Sequence, residues 1–221
     1  MGLRITVCDT HGNTGGYSVG KSFCPCYNEA VENLTFYFIL LCLLAQASFW
    51  IINGFSTKKT VENRGGWTMR IIALMVAFSV IFLRKQIAII LPVADDYFYP
   101  FSLAVGIGAD IVVLLGVVVM IWARIALGKN WSANVTFKAD HELISHGPYA
   151  YVRHPIYSGL LLVVLGLVIY SGSVAGYFFF FIFFGGAYYK ALKEEKVLTA
   201  HFGEKYLQYK KEVRALIPFI F

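Results

Sequence analysis

Charged residues are scarce in this sequence: Asp, Glu, Lys and Arg make up only 14% of its 221 residues, and 58% are hydrophobic. Soluble domains carry about 25% charged and about 45–50% apolar residues. A water-soluble globule with this composition would leave much of its apolar surface wet, and disordered chains contain far fewer apolar residues. The composition therefore excludes both classes and predicts a polytopic membrane protein.

Cysteine is also rare, with four residues in the chain, which excludes a disulfide-knit secreted scaffold. Cys8, Cys24 and Cys26 share the amino-terminal segment with His11. Their C-x-C spacing does not fit the C-x2-C pairs of common zinc sites. We therefore expect residues 1–33 to form a flexible, glycine-rich leader. The metal-protease pairs H-E-x-x-H and H-x-x-E-H are absent as well, and no metal site is predicted.

Long apolar runs are abundant and predict about five membrane helices of about 20 residues each. The runs cover residues 34–53, 101–127, 156–170 and 174–192, with a weaker one at 67–83 that Arg84 and Lys85 interrupt. Only three polar residues separate the last two runs, which predicts a tight antiparallel helical hairpin. We expect an all-α, polytopic membrane helical bundle, with residues 34–221 as a single domain.

The distribution of positive charge predicts the orientation. With five spans and the amino terminus outside, 15 of the 19 Lys and Arg residues fall on the inner side. Lys and Arg accumulate in cytoplasmic loops. The loop at 128–155 and the carboxy terminus are therefore expected to face the cytoplasm, where they meet at the open end of the hairpin. The net charge of +6 reflects this sorting, and no nucleic-acid partner is predicted.

Two polar features of the apolar part have alternative interpretations. Asp110 lies within the third run, where a carboxylate is costly and is by default functional. A structural pairing with Arg84 or Lys85 is the favoured alternative. The charged tail carries apolar residues at spacings of three and four, namely Leu198, Phe202, Tyr206, Tyr209 and Val213. This spacing is typical of an amphipathic helix, which we expect to lie on the membrane surface or against the hairpin.

The loop and the tail also carry a recognisable signature. Residues 141–159 read HELISHGPYAYVRHPIYSG, residues 190–198 read KALKEEKVL, and the chain continues through FGEKYLQY at 202–209 to Ile217-Pro218. This combination, in this order, strongly resembles the isoprenylcysteine carboxyl methyltransferase family. The resemblance covers residues 124–221, whereas the first 100 residues match only as apolar spans.

The resemblance implies an integral membrane methyltransferase that uses S-adenosylmethionine to methylate a lipophilic acceptor, with carboxyl O-methylation of an isoprenylcysteine-like group favoured. The family places an arginine four residues before its cofactor-binding glutamate to hold the acceptor carboxylate. Lys190 occupies that position here, and a lysine offers only a point charge, which leaves other lipophilic acceptors open. The resemblance places the cofactor pocket, formed by the loop and the tail helix, at Asn134, His141, Leu143, Ile144, Tyr149, His154, Pro155, Ile156, Tyr157 and Glu194.

No residue is assigned a catalytic proton transfer, because methyl transfer to a carboxylate needs positioning rather than a general base. Two alternatives remain at this point: an NADPH-dependent membrane reductase of the sterol-reductase type, and a non-catalytic membrane protein. Sterol reductases tend to carry an Arg-Asp block where this chain has Glu194-Glu195. We further expect a lipid-facing route for the acceptor between the third span and the hairpin, near Gly159 or Gly185.

Overall fold

The structure is a computed structural model that describes residues 25–54, 98–128 and 143–218, with side chains in the first range described for residues 29–52. These parts of the chain are helical, and besides an isolated bridge between Val152 and Arg214 they form no strand. The all-α prediction is confirmed for them. In chain order the helices are α1 (Pro25–Gly54), α2 (Leu103–Leu127), a 3₁₀ helix (Gly147–Ala150), α3 (Pro155–Ser171), α4 (Val174–Phe202) and α5 (Glu204–Glu212).

Three of these helices are long and apolar enough to cross a membrane: Glu29–Ile52 within α1, α2 and α4. The apolar helix α3 has 17 residues, which cover about 25 Å at 1.5 Å per residue. The prediction of a membrane protein with a short connector between its last two apolar helices is confirmed. The predicted span at 67–83 lies outside the described residues, so the total of about five spans stays a prediction.

Helix ends differ from the apolar runs that predicted them. The helix α1 begins at Pro25, so the prediction of a flexible leader over residues 1–33 is wrong for residues 25–33. Hydropathy indicates only the part of a helix that suits the hydrocarbon core, whereas the helical hydrogen bonding of α1 begins before that part. The start of α2 agrees better, because the Ser102 hydroxyl accepts a hydrogen bond from the Val105 N–H at 3.3 Å and caps the helix.

Glycines bring α2 and α3 into close contact. A Cβ added at Gly116 would lie 2.6 Å from the Gly159 carbonyl oxygen, and one at Gly166 would lie 2.5 Å from a Val113 methyl. Because residue numbers rise on one helix as they fall on the other, the two helices are antiparallel. Small residues permit such approach in membranes. The contact at Gly159 leaves no room for a lipid between these helices there, so the predicted acceptor route at Gly159 is wrong.

Replacing Gly116 by Ala is expected to lower the thermal unfolding temperature of the detergent-solubilised protein by roughly 5 °C, because overpacking costs about 1–3 kcal/mol. Gly108 on the same helix is the matched control, since a Cβ there meets nothing within 4 Å. Gly108→Ala should leave the unfolding temperature unchanged or raise it, because alanine favours helix. Equal changes of the unfolding temperature in the two variants would show that the close α2–α3 contact at Gly116 does not determine stability.

The two ends of the bundle are defined by contacts near the helix termini. A Cβ at Gly106 would lie 2.7 Å from Thr35 Oγ1, and further along Gln46 Nε2 donates to Met120 Sδ at 3.0 Å, so α1 and α2 run parallel. The Phe98 N–H donates to the Gly172 carbonyl oxygen at 3.0 Å, which places the α3–α4 turn at the amino-terminal end of α2. The start of α3 and the end of α4 therefore share the opposite end.

The tail consists of two helices rather than one. The helix α4 ends at Phe202, and Gly203 adopts a φ of 57° before α5 begins, a left-handed conformation that suits glycine. The predicted apolar face is present, but the chain bends within it. Its residues Tyr206, Tyr209 and Val213 are buried against Leu143, Leu198 and Phe202. The amphipathic face thus packs against α4 and the loop.

Candidate active site

The junction between the loop and α3 is set by proline. Pro155 is the first residue of α3, where its fixed φ and missing N–H are tolerated. A residue that precedes proline is disfavoured in the helical conformation, and His154 accordingly lies outside the helix with φ −125° and ψ 60°. His154 is buried. The motif Arg-His-Pro therefore places two polar side chains, those of Arg153 and His154, at the amino-terminal end of α3.

Residues 213–216, which we call the C-terminal strap, run alongside this junction. The Arg153 N–H donates to the Arg214 carbonyl oxygen at 2.7 Å, and the His154 N–H donates to the Ala215 carbonyl oxygen at 3.0 Å. The Ser158 hydroxyl donates to the Leu216 carbonyl oxygen at 2.6 Å. These bonds attach the end of the tail to the start of α3.

Glu194 of α4 meets two residues of the Arg-His-Pro-x-Tyr motif. The Tyr157 hydroxyl donates to Glu194 Oε1, and His154 Nδ1 lies 3.7 Å from Glu194 Oε2. The rings of His154 and Tyr157 are stacked, with centroids 5.7 Å apart and an angle of 23°. Because 25% of the Glu194 side chain stays exposed, a ligand can reach the carboxylate. We call His154, Tyr157 and Glu194 the Glu194 cluster.

The neighbouring Glu195 has a different environment. Arg153 Nη2 and Nε donate to Glu195 Oε1 at 2.6 and 2.8 Å, and Lys210 Nζ lies 2.6 Å from Oε2. Arg153 also donates to the carbonyl oxygens of Lys210 and Val213. Only 3% of the Glu195 side chain is exposed. The Glu195 network, formed by Arg153, Glu195 and Lys210, therefore joins the segment just before α3 to α4 and α5 and holds Glu194 in place.

Three buried tyrosines surround these carboxylates. The Tyr209 hydroxyl donates to the Tyr149 carbonyl oxygen at 2.5 Å, which attaches α5 to the 3₁₀ helix. Burial raises the pKa of Tyr149, Tyr206 and Tyr209 above the usual value of tyrosine. These phenols therefore stay neutral near neutral pH, which leaves them able to donate a hydrogen bond but not to act as bases.

Comparisons with known proteins show what this chain is similar to. Residues 104–205 match the sequence model of the phospholipid methyltransferase family. Protein-S-isoprenylcysteine O-methyltransferase of Schizosaccharomyces pombe is 35% identical over 101 residues, which are 44% of this chain and 43% of that protein. The Tribolium castaneum enzyme of the same name is 31% identical over 114 residues, 49% of this chain and 40% of its own length.

A solved structure supports the fold. The eukaryotic intramembrane Ras methyltransferase ICMT (isoprenylcysteine carboxyl methyltransferase), solved without a monobody, covers 72% of this chain with a TM-score of 0.52 and 24% identity. The matched part is 55% of that protein. The resemblance to the isoprenylcysteine carboxyl methyltransferase family is confirmed. The chain spans about half the length of the curated relatives that it matches.

The family position for an acceptor-binding arginine is occupied by Lys190, one helical turn before Glu194 on α4. Its Nζ lies 5.6 Å from the centroid of the Tyr157 ring, so the ammonium lies beside the Glu194 cluster. Lys190 is exposed. The structure thus places Lys190, Tyr157 and Glu194 next to one another.

The other residues that the family resemblance predicted are not members of the Glu194 cluster. Leu143 packs against the buried face of α5, Ile144 is half-buried, and Pro155 is buried at the helix start. Ile156 packs against the α1–α2–α3 core, away from the Glu195 network. Asn134 and His141 lie outside the described residues, as do the alternative partners of Asp110, Arg84 and Lys85. The roles of all these residues in cofactor binding stay predictions.

Sequence reasoning missed the Glu195 network. Arg153 and Glu195 were assigned no role from the sequence, although the position of Arg153 beside His154 and the second glutamate of the pair were both visible signals. Within the described ranges, no group of three or more His, Cys, Asp and Glu residues could hold a metal ion.

Proposed function

We propose that this protein is an integral membrane methyltransferase that transfers the methyl group of S-adenosylmethionine to a carboxylate on a lipophilic acceptor. The observation that carries the proposal is the Glu194 cluster: a partly exposed carboxylate from the tail meets the His154 and Tyr157 side chains from the loop side of α3. The names of the two relatives described above, both protein-S-isoprenylcysteine O-methyltransferases, support a carboxyl acceptor.

The residues present fit the chemistry of the methyl donor. Glu194 suits its ammonium group or ribose hydroxyls through charge-assisted hydrogen bonds, and the faces of Tyr149 and Tyr157 suit its sulfonium cation. Asn134, His141, Leu143, Ile144, His154, Pro155 and Ile156 complete the proposed pocket. When bound, the donor supplies a methyl group that is already activated for displacement by its positive sulfur.

The contribution of the protein is positioning and exclusion of water. The methyl carbon exchanges its bond to sulfur for a bond to the acceptor oxygen, and the sulfur keeps the electron pair. An acceptor carboxylate carries no proton that must be removed. The reaction therefore needs no general base, and the neutral tyrosines around the site are compatible with it. Holding the two reactants in line in a dry site provides most of the rate enhancement. The Glu195 network and the C-terminal strap fix the groups that hold the donor.

A substitution at Lys190 tests whether this side chain binds the acceptor carboxylate. Replacing Lys190 by Arg is expected to lower the KM for a farnesylated cysteine with a free carboxylate by about fivefold, because a guanidinium binds a carboxylate through two parallel hydrogen bonds. The KM for S-adenosylmethionine should not change. Lys193→Arg on the same helix is the matched control. If both variants behave alike in methyl-transfer assays, Lys190 does not contact the acceptor.

We also propose the membrane orientation that the charge distribution predicted, with the amino terminus outside and the loop and tail in the cytoplasm. Parallel packing of α1 and α2 supports the span count behind this orientation, because two parallel spans need a return crossing between them. The predicted span at 67–83 would supply that crossing. The Glu194 cluster lies at the end where α4 continues into its Lys-rich segment, which is the cytoplasmic side by the positive-inside rule.

Isothermal titration of the purified full chain with S-adenosylmethionine and, separately, with NADPH tests the proposal. We expect micromolar binding of S-adenosylmethionine only, together with transfer of its labelled methyl group to a farnesylated cysteine. Binding of NADPH alone would instead establish the reductase alternative. If neither compound binds, the protein is non-catalytic, and the proposed function is wrong.

A further inference from the structure

Tyr206 of α5 carries a buried hydroxyl that the fold leaves unpaired. Only 1% of Tyr206 is exposed, and its hydroxyl has no hydrogen-bond partner among the residues that the structure describes. Most buried polar side-chain atoms in proteins are hydrogen-bonded, and an unpaired buried one is unfavourable. A hydroxyl retained under these conditions suggests a partner that arrives from outside the chain.

The surroundings of Tyr206 are those of the proposed donor pocket. Its ring packs in the cluster that contains Leu143, a residue that the family resemblance places in the pocket. It also packs edge-on against Tyr209, with ring centroids 6.0 Å apart, and Tyr209 binds the backbone of Tyr149. Tyr206 therefore lies on the side of α5 that faces Leu143 and Tyr149 of the loop.

Most polar groups near Tyr206 have other partners. The Tyr209 hydroxyl donates to the Tyr149 carbonyl oxygen, and Glu195 Oε1 accepts a hydrogen bond from Arg153. Glu195 Oε2 lies 2.6 Å from Lys210 Nζ as an ion pair, although it accepts no hydrogen bond from the described residues. Arg153 makes two further hydrogen bonds to backbone carbonyls. Glu195, Arg153 and Glu194 are close enough for their charges to act on the Tyr206 phenol, and burial keeps its pKa raised. The hydroxyl thus stays protonated and able to donate.

We propose that Tyr206 is a further binding residue for the methyl donor, and that its hydroxyl hydrogen-bonds to a polar group of the bound donor. The inference rests on the proposed function and adds to it a residue that the sequence assigned only to packing. The class of ligand is set by the pocket: an adenosyl sulfonium that carries ribose hydroxyls and a charged amino-acid end. The donor then accepts a hydrogen bond from a hydroxyl that has no partner among the described residues.

Tyr206→Phe tests the proposal, because it removes the hydroxyl and keeps the ring. Without donor, the thermal unfolding temperature of the variant should equal or exceed that of the wild type, since an unpaired polar atom is removed. The dissociation constant for S-adenosylmethionine, measured by isothermal titration, should rise about tenfold. The kcat at saturating donor should change less than twofold. Tyr189→Phe, at an exposed tyrosine of α4, is the matched control and should change neither quantity.

Other outcomes would overturn the inference in distinct ways. An unchanged dissociation constant in Tyr206→Phe would show that the hydroxyl does not contact the donor. A lower unfolding temperature without donor would show that the hydroxyl already has a structural partner. Titration with 5′-methylthioadenosine, which lacks the amino-acid end, locates the contact: equal weakening for both compounds places it at the nucleoside. If the wild type itself fails to bind S-adenosylmethionine, the proposed function fails and this inference with it.

Discussion

Replacing Glu194 by Gln is expected to weaken binding of S-adenosylmethionine about 100-fold. The amide keeps the size of the side chain and can still accept the hydrogen bond from Tyr157, but it loses the negative charge. Hydrogen bonds to charged groups contribute about 1.5–3 kcal/mol, and tenfold in affinity corresponds to about 1.4 kcal/mol. The measurement is isothermal titration of the detergent-purified full chain with the donor.

Glu204→Gln provides the control for charge, since Glu204 is an exposed glutamate at the start of α5 and should bind the donor as the wild type does. The unfolding temperature of Glu194→Gln without donor should change little, because the Glu195 network remains intact. A wild-type dissociation constant in Glu194→Gln would show that the donor does not contact this carboxylate. The proposed function would then lose the observation on which it depends.

Replacing Glu195 by Ala is expected to lower the unfolding temperature by roughly 10 °C or more. Truncation leaves the buried Arg153 guanidinium without its carboxylate, and breaking a buried ion pair from one side costs about 3–5 kcal/mol. For a chain of this size that corresponds to about 2–4 °C per kcal/mol. Thermal unfolding of the solubilised protein, followed by circular dichroism, measures the change.

Lys210→Ala separates the buried and exposed parts of the same network. The Lys210 side chain is 43% exposed, against 8% for Arg153, so solvent weakens its attraction to Glu195 and the unfolding temperature should fall by only a degree or two. A loss as large as that of Glu195→Ala would mean that the exposed pair, rather than the buried one, supports the junction. An unchanged unfolding temperature in Glu195→Ala would show that the Glu195 network does not hold Glu194 in place.

Local patterns explain which parts of the molecule could be predicted. Apolar runs predicted α2, α3, α4 and the connector at 171–173, because burial in hydrocarbon requires continuous apolar sequence. They predicted helix ends less well, as α1 shows by starting at Pro25. The bend at Gly203 was missed because the apolar spacing continues across it. Gly108 and Gly116 look alike in sequence, yet only Gly116 contacts α3.

The sequence by itself determined that this is a helical membrane protein that resembles a methyltransferase family, because hydropathy and a contiguous motif are properties of short segments. Only the tertiary structure decided how the adjacent Glu194 and Glu195 divide their tasks. His154 lies between the two carboxylates, 3.7 Å from Glu194 and 3.5 Å from Glu195. Successive residues on a helix point about 100° apart, so Glu194 meets Tyr157 while Glu195 is enclosed by Arg153 and Lys210. That choice depends on three segments distant in the chain, which only packing brings together.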